Sequence, residues 1–249
     1  MIFNPKNTLI LLLMFAGISC KISYQGESMK YETYKISDSL QKDSSLIHFL
    51  KPYSTDVEKT MNGVVGIADI SLEKSSPEST LGNFMVDAMF FMGQEKYGIK
   101  ADAAFINQGG IRLNQLPAGA VTTGKIFELM PFDNLLIIQK LKGDVLQQFL
   151  DLVAGNGGWP VAGISMQIKN QKAVNVKIAG QPIDPDKEYI TVNSDFVANG
   201  GDNAIMLKPI PQISNGYLVR DALFDYIKKL KSQGKNIHAK IENRVSHVE

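Results

Sequence analysis

The chain has 249 residues, 26 Lys and Arg against 25 Asp and Glu, 44% apolar residues and 20% charged ones. This is globular composition, long enough for one large domain with a well-buried core, and it excludes a largely disordered chain. Removing residues 1–19, which hold Lys6 and no acid, leaves 25 basic and 25 acidic residues, so the remainder is neutral and lacks the basic footprint of a nucleic-acid binder.

Lys6 precedes an apolar run from Leu9 to Ile18, the length of a signal-peptide core and too short to span a bilayer. The run ends in Ala16-Gly17-Ile18-Ser19-Cys20, which resembles a bacterial lipobox around the single cysteine of the chain. The expectation is an exported lipoprotein with a signal peptide over 1–19 and lipidation at Cys20; the other reading is ordinary secretory cleavage leaving a free thiol. Acylation there would bury several tens of methylenes at about 0.8 kcal/mol each, enough for stable anchoring on the periplasmic or cell-surface side of a membrane. Residues 20–42 are polar and without period, and read as a tether; the domain is expected over 43–249.

Leu46, Ile47, Leu50 and Val57 predict a helix from Ser44 to Met61, interrupted around Pro52, then a strand over Val64–Ala68. Ser75-Ser76-Pro77-Glu78 reads as a helix start, with Ser75 as cap and Glu78 three residues on. That helix should run to about Tyr97, bury Leu81, Met85, Ala88 and Met92, and stop before Gly98. A short buried strand follows over 103–106, then a short helix capped at Thr123 and a strand over 135–141. An amphipathic helix over 143–154 places Val145, Leu146, Phe149 and Leu152 at helical spacing. Strands over 164–168 and 174–178 form a hairpin across Asn170, Gln171 and Lys172. A strand over 189–193 and a closing helix from Val219 to about Lys231 complete an α+β fold with mixed sheets and interleaved helices.

Three segments leave apolar runs, turn at glycine or proline, and carry an aromatic, amide or charged side chain: Phe105 to Arg112, Pro131 to Asn134, and Phe196 to Asp202. Phe132 and Phe196 lie among Pro, Asn and Gly, where a ring either plugs the core or stacks on a ligand. Asp202 follows Gly200-Gly201, where missing β-carbons let backbone approach a ligand and the carboxylate could chelate two ribose hydroxyls, or simply stabilise its own turn. Asn107 and Asn134 could meet a base edge or cap the turns they occupy. Arg112 offers a planar fork for phosphate, or a surface ion pair. His48, His238 and His247 are scattered and do not form a ligand set.

These runs, with Glu78 to Asn83, Gly124 to Asn134, Gly157 to Gly163 and Asp184 to Tyr189, resemble in content and order the C-terminal domain of the 5'-nucleotidase / UDP-sugar hydrolase family. The resemblance covers roughly residues 40 to 249. It implies that Phe132 and Phe196 sandwich a base and that 44–61 corresponds to the helix joining the family's two domains. The family's two-metal phosphoesterase centre lies in a separate N-terminal domain with Asp-x-His, Gly-Asn-His-Glu/Asp and Gly-His-x-His motifs, none of which occurs here. An arginine found in members upstream of Leu81-Gly82-Asn83 is also missing, and Lys74 could replace it only as a point charge.

The resulting expectation is a stand-alone, membrane-anchored nucleotide-recognition half of a 5'-nucleotidase-type phosphohydrolase, without nucleic-acid partners. Its substrate-binding residues would be Asn107, Arg112, Phe132, Asn134, Phe196 and Asp202. It would hold no cofactor or metal of its own and be inactive alone, the divalent metals residing in a separately encoded metallophosphoesterase chain. The alternatives are a non-enzymatic nucleoside- or nucleotide-binding lipoprotein and a degenerate scaffold.

Overall fold

The computed structural model describes residues 28–37 and 40–248. The expected signal peptide, Cys20 and the first part of the expected tether lie outside the described residues. His48–Glu249 group into one unit.

Helix α1 spans Ser44–Met61 without interruption and buries none of its side chains. Pro52 removes the bond to the carbonyl four residues earlier, but one missing bond does not end an eighteen-residue ladder, which corrects the expected break. Strand β1 (Val64–Ala68) follows as expected. Strand β2 (Leu72–Glu73) leads into helix α2 (Thr80–Tyr97), whose N-cap is Ser79 rather than Ser75: its Oγ accepts from the Gly82 amide at 3.0 Å. Ser75 Oγ donates instead to the Glu78 carbonyl, and Glu78 turns inward. Leu81, Met85, Ala88 and Met92 are buried, and Gly98 closes the helix at φ 62°, a left-handed cap that glycine takes without strain.

Next come β3 (Ala103–Phe105), β4 (Gln115–Leu116), β5 (Gly119–Thr122), and α3 (Thr123–Leu129), which is capped by Thr122 and not by Thr123. Strand β6 (Leu136–Lys142) runs into α4 (Gly143–Gly155). The buried face of α4 is Leu146, Phe149, Leu150 and Val153, while Val145 and Leu152 are only half-buried, a rotation of the expected stripe. Strands β7 (Val161–Ala162), β8 (Ile164–Lys169), β9 (Lys172–Ile178) and β10 (Gln181–Pro182) precede the long β11 (Glu188–Ser194). The β8–β9 hairpin turns on Asn170 and Gln171, both at positive φ, as a two-residue primed turn requires. A one-turn helix α5 (Asp195–Ala198), β12 (Gln212–Ile213), α6 (Val219–Ser232) and β13 (Val245–His247) end the fold.

Five strands form the central sheet in the order β12-β6-β11-β3-β7; β3 is parallel to β11, and β6 is antiparallel to it. The period-two alternation of side chains splits this sheet into two apolar faces. Ala104, Leu136, Ile138 and Val192 pack with α2 and α6, whereas Ala103, Phe105, Leu141 and Tyr189 pack with α4 and the second sheet, β10-β9-β8-β13. The mixed α+β class expected from the sequence is the one observed.

Candidate functional site

Sheet topology explains why three distant segments meet. Because β3 and β11 run parallel, their C-terminal ends reach the same edge of the sheet, and antiparallel β6 begins there, with Ser194 opposite Leu136. The chain leaves β3 into Asn107–Arg112, enters β6 from Phe132–Asn134, and leaves β11 into Asp195–Asp202. The Asp195 amide donates to the Leu135 carbonyl at 2.9 Å, stitching two of these loops together.

A cavity of about 490 Å³ opens at this edge, lined by Asn107, Gly109, Gly110, Arg112, Phe132, Asp133, Asn134, Phe196 and Asp202. All six candidate residues read from the sequence thus border one space. The two rings are not core plugs: Phe132 is 40% exposed and Phe196 44%. Loop tips leave such rings partly wet, and both border the one cavity.

Asn107 differs from the others. It is only 6% exposed, lies against the Gly109-Gly110 turn, and donates from Nδ2 to Asp202 Oδ2 at 2.5 Å. It therefore fixes Asp202, which holds left-handed backbone at φ 50°. Among the described residues Asp202 Oδ1 accepts no hydrogen bond, so the carboxylate keeps acceptor capacity for hydroxyls. Asn134 likewise ties loops together: its Nδ2 donates to Asp195 Oδ1 at 3.0 Å, and the same oxygen accepts from the Phe196 amide at 2.8 Å.

The glycine pair after Phe196 has a different use from the one expected. A β-carbon on Gly201 would stand 2.4 Å from the Phe196 ring, so the empty space is filled by that ring, not by a ligand. Gly200, at φ 92°, supplies the turn that brings the backbone back beneath it.

Arg112 is exposed. Its guanidinium lies 5.5 Å from the Phe132 ring centroid and makes one long bond to the Gly109 carbonyl, with no carboxylate in ion-pair range among the described residues. Lys74 stands nearby: its Nζ donates to the Ile111 carbonyl at 2.7 Å, and burial, then the charge of Arg112, lowers its pKa. Of the two cations, only Arg112 lines the cavity.

Sequence reading missed the residues behind the walls. Asp195 holds Asn134 and Phe196 together, and Arg220 of α6 pairs with Asp133 at 2.6 Å. The one signal for Arg220 was its place in the first turn of a helix, where a cation opposes the helix dipole and needs another reason to be there. Among the described residues no three His, Cys, Asp or Glu side chains gather as a metal-binding group.

The chain is similar to known proteins over most of its length. The family model for the 5'-nucleotidase C-terminal domain matches residues 56–209. Protein UshA of Yersinia enterocolitica is 26% identical over 200 residues, covering 78% of this chain and 36% of its own length. The 5'-nucleotidase of Vibrio parahaemolyticus is 26% identical over 227 residues, covering 87% of this chain and 39% of its own. The solved 5'-nucleotidase precursor from Thermus thermophilus superposes with a TM-score of 0.70 at 27% identity, covering 81% of this chain and 43% of that one. The chain spans less than half the length of each. Matched across more than half of its residues and superposable on a solved relative, it belongs to the 5'-nucleotidase C-terminal domain family.

Proposed function

We propose that this domain is the nucleotide-recognition part of a 5'-nucleotidase-type phosphohydrolase and acts with a separately encoded metallophosphoesterase chain. Phe132 and Phe196 take the base, Asp202 the ribose hydroxyls, and Arg112 the phosphate, with Asn107 and Asn134 holding Asp202 and Phe196 in place. The observation that carries this reading is the pair of part-exposed phenylalanine rings on one cavity that also presents a carboxylate and an arginine. Stacking a base on an aromatic ring is worth about 1–3 kcal/mol. Holding a substrate against a reactive centre can lower a barrier by roughly 7–11 kcal/mol, so a chain without a reactive group of its own still matters to catalysis.

Calorimetry of the purified chain with adenosine, uridine, AMP and UDP-glucose tests the recognition step. Binding is expected, with Phe196→Ala weakening it by about 1–3 kcal/mol while the melting temperature holds. Absence of binding to all four ligands rejects the reading. Phosphate release is then followed with Mn²⁺, first from the chain alone and next with a candidate phosphoesterase. The expected rate is negligible in the first case and raised in the second, because phosphate esters react extremely slowly uncatalysed. Robust release by the single chain overturns the division of labour.

A further inference from the structure

Arg220 is the least expected buried side chain of α6. It occupies the second position of a helix that lacks a side-chain N-cap, yet it is only 8% exposed. Every polar contact it makes falls on one short segment. Nη1 donates to the carbonyls of Met130 and Phe132 at 3.3 and 3.2 Å, and Nη2 donates to Asp133 Oδ1 at 2.6 Å. Its guanidinium lies 4.4 Å from the Phe127 ring centroid. The segment from Phe127 to Asp133 carries Phe132, an exposed ring whose guanidinium neighbour is Arg112.

We infer that Arg220 is a positioning residue that sets the Phe132 ring as one wall of the base clamp. This rests on the base-clamp reading proposed above. The segment Pro131–Asp133 is exposed and belongs to no helix or strand, so its conformation depends on what ties its carbonyls and carboxylate down. A planar fork meets two carbonyls and a carboxylate at once while its face rests on Phe127; an ammonium offers donors from a single point and cannot serve all of them. Arg220 does not line the cavity. It acts by making the ring wait in its binding position, so ligand need not order the loop on arrival.

The test is Arg220→Lys, which keeps charge and stem. Adenosine and uridine titrations of wild type, Arg220→Lys, Phe132→Ala and the double variant are compared, together with amide exchange at Met130 and Val219, which donate to the Ile126 and Asn134 carbonyls at the two ends of the loop. Arg220→Lys is expected to weaken nucleoside binding about tenfold, the effect of losing a charge-assisted hydrogen bond. Its melting temperature should fall by no more than a few degrees, with a cooperative transition retained. The double variant should bind no more weakly than Phe132→Ala alone, because the arginine works through that ring. Wild-type affinity in Arg220→Lys, or losses that add in the double variant, overturns the inference. If Arg220→Lys fails to fold, Asp133→Asn, on the exposed side of the same pair, must reproduce the weakening, and wild-type affinity there overturns the inference equally. If the wild type itself binds neither nucleoside, the base-clamp reading fails. Exchange then decides the positioning role: faster exchange at Met130 and Val219 in the variant supports it, and unchanged exchange removes it.

Discussion

Gly201 shows how a single missing atom shapes a cavity wall. Its backbone lies outside the left-handed region, so alanine fits the chain conformation there, but the new β-carbon would overlap the Phe196 ring at 2.4 Å. The ring, a side chain at the surface, has to swing away while the backbone stays. Gly201→Ala is therefore expected to leave the melting temperature nearly unchanged and to lower nucleoside affinity as much as Phe196→Ala does; equal affinity in titration would show that the ring does not depend on the glycine. This division was only half legible in the sequence. Phe132, Phe196 and Asp202 announce themselves by sitting among glycine and proline at the ends of strands. Asn107 and Asn134 do not reveal which partner they take, because an amide serves a turn and a ligand equally well. Asp195 and Arg220 were illegible since their partners lie 61 and 87 residues away, and only the sheet brings them together.

Among the elements, the entrance to α2 departs most from the local pattern. Ser75 and Glu78 have the spacing of a capping box, but Ser79 caps the helix and Glu78 faces the interior at 6% exposure. Its Oε1 accepts from Asn83 Nδ2 at 2.6 Å and the Glu242 amide at 2.8 Å, and its Oε2 from the Arg244 amide at 2.9 Å. Arg244 in turn grips Asp87 of α2 with two bonds of 2.6 and 2.9 Å. Glu78→Gln turns one acceptor into a donor facing backbone N–H groups, with an expected loss of about 1–3 kcal/mol. At roughly 2–4 °C per kcal/mol, thermal melting resolves it, and amide exchange at Glu242 and Arg244 should quicken. A melting curve superposable on wild type would count against the carboxylate as a tie. No periodicity argument could have found this bond, which spans 166 residues. By contrast the β8–β9 hairpin, β11 and α6 were legible because their signals are local: alternation, a two-residue turn, an apolar stripe.

For the molecule as a whole, one sheet with apolar residues on both faces organises two cores, and its edge collects the site. No described helix is long and apolar enough to cross a membrane. We propose that Cys20 is acylated and attaches the protein to a membrane. Expression of the natural gene should yield protein that partitions with membranes and is released by detergent, with a mass at the N-terminus matching acylated cysteine. Recovery of the native protein in the aqueous fraction with a free Cys20 thiol would reject it. Cys20→Ser should move the protein to the aqueous fraction without changing nucleoside affinity, since the cavity residues lie between 107 and 202.

The tie between Glu78 and the segment before β13 also sets the order in which the fold can close. Strand β13 adds in parallel to β8, with Val245 beside Met166, and until it does, the edge of that sheet keeps unpaired backbone beside apolar side chains. Loop-closure entropy must be overcome before so distant a contact contributes anything, which makes this docking a late and slow event. A chain emerging from its N-terminus onward, from a ribosome or a translocation pore, delivers residues 242–247 after the other described strands. Its half-finished state exposes a sticky sheet edge for as long as synthesis or passage takes, and its solubility in that interval depends on speed or on a chaperone rather than on final stability.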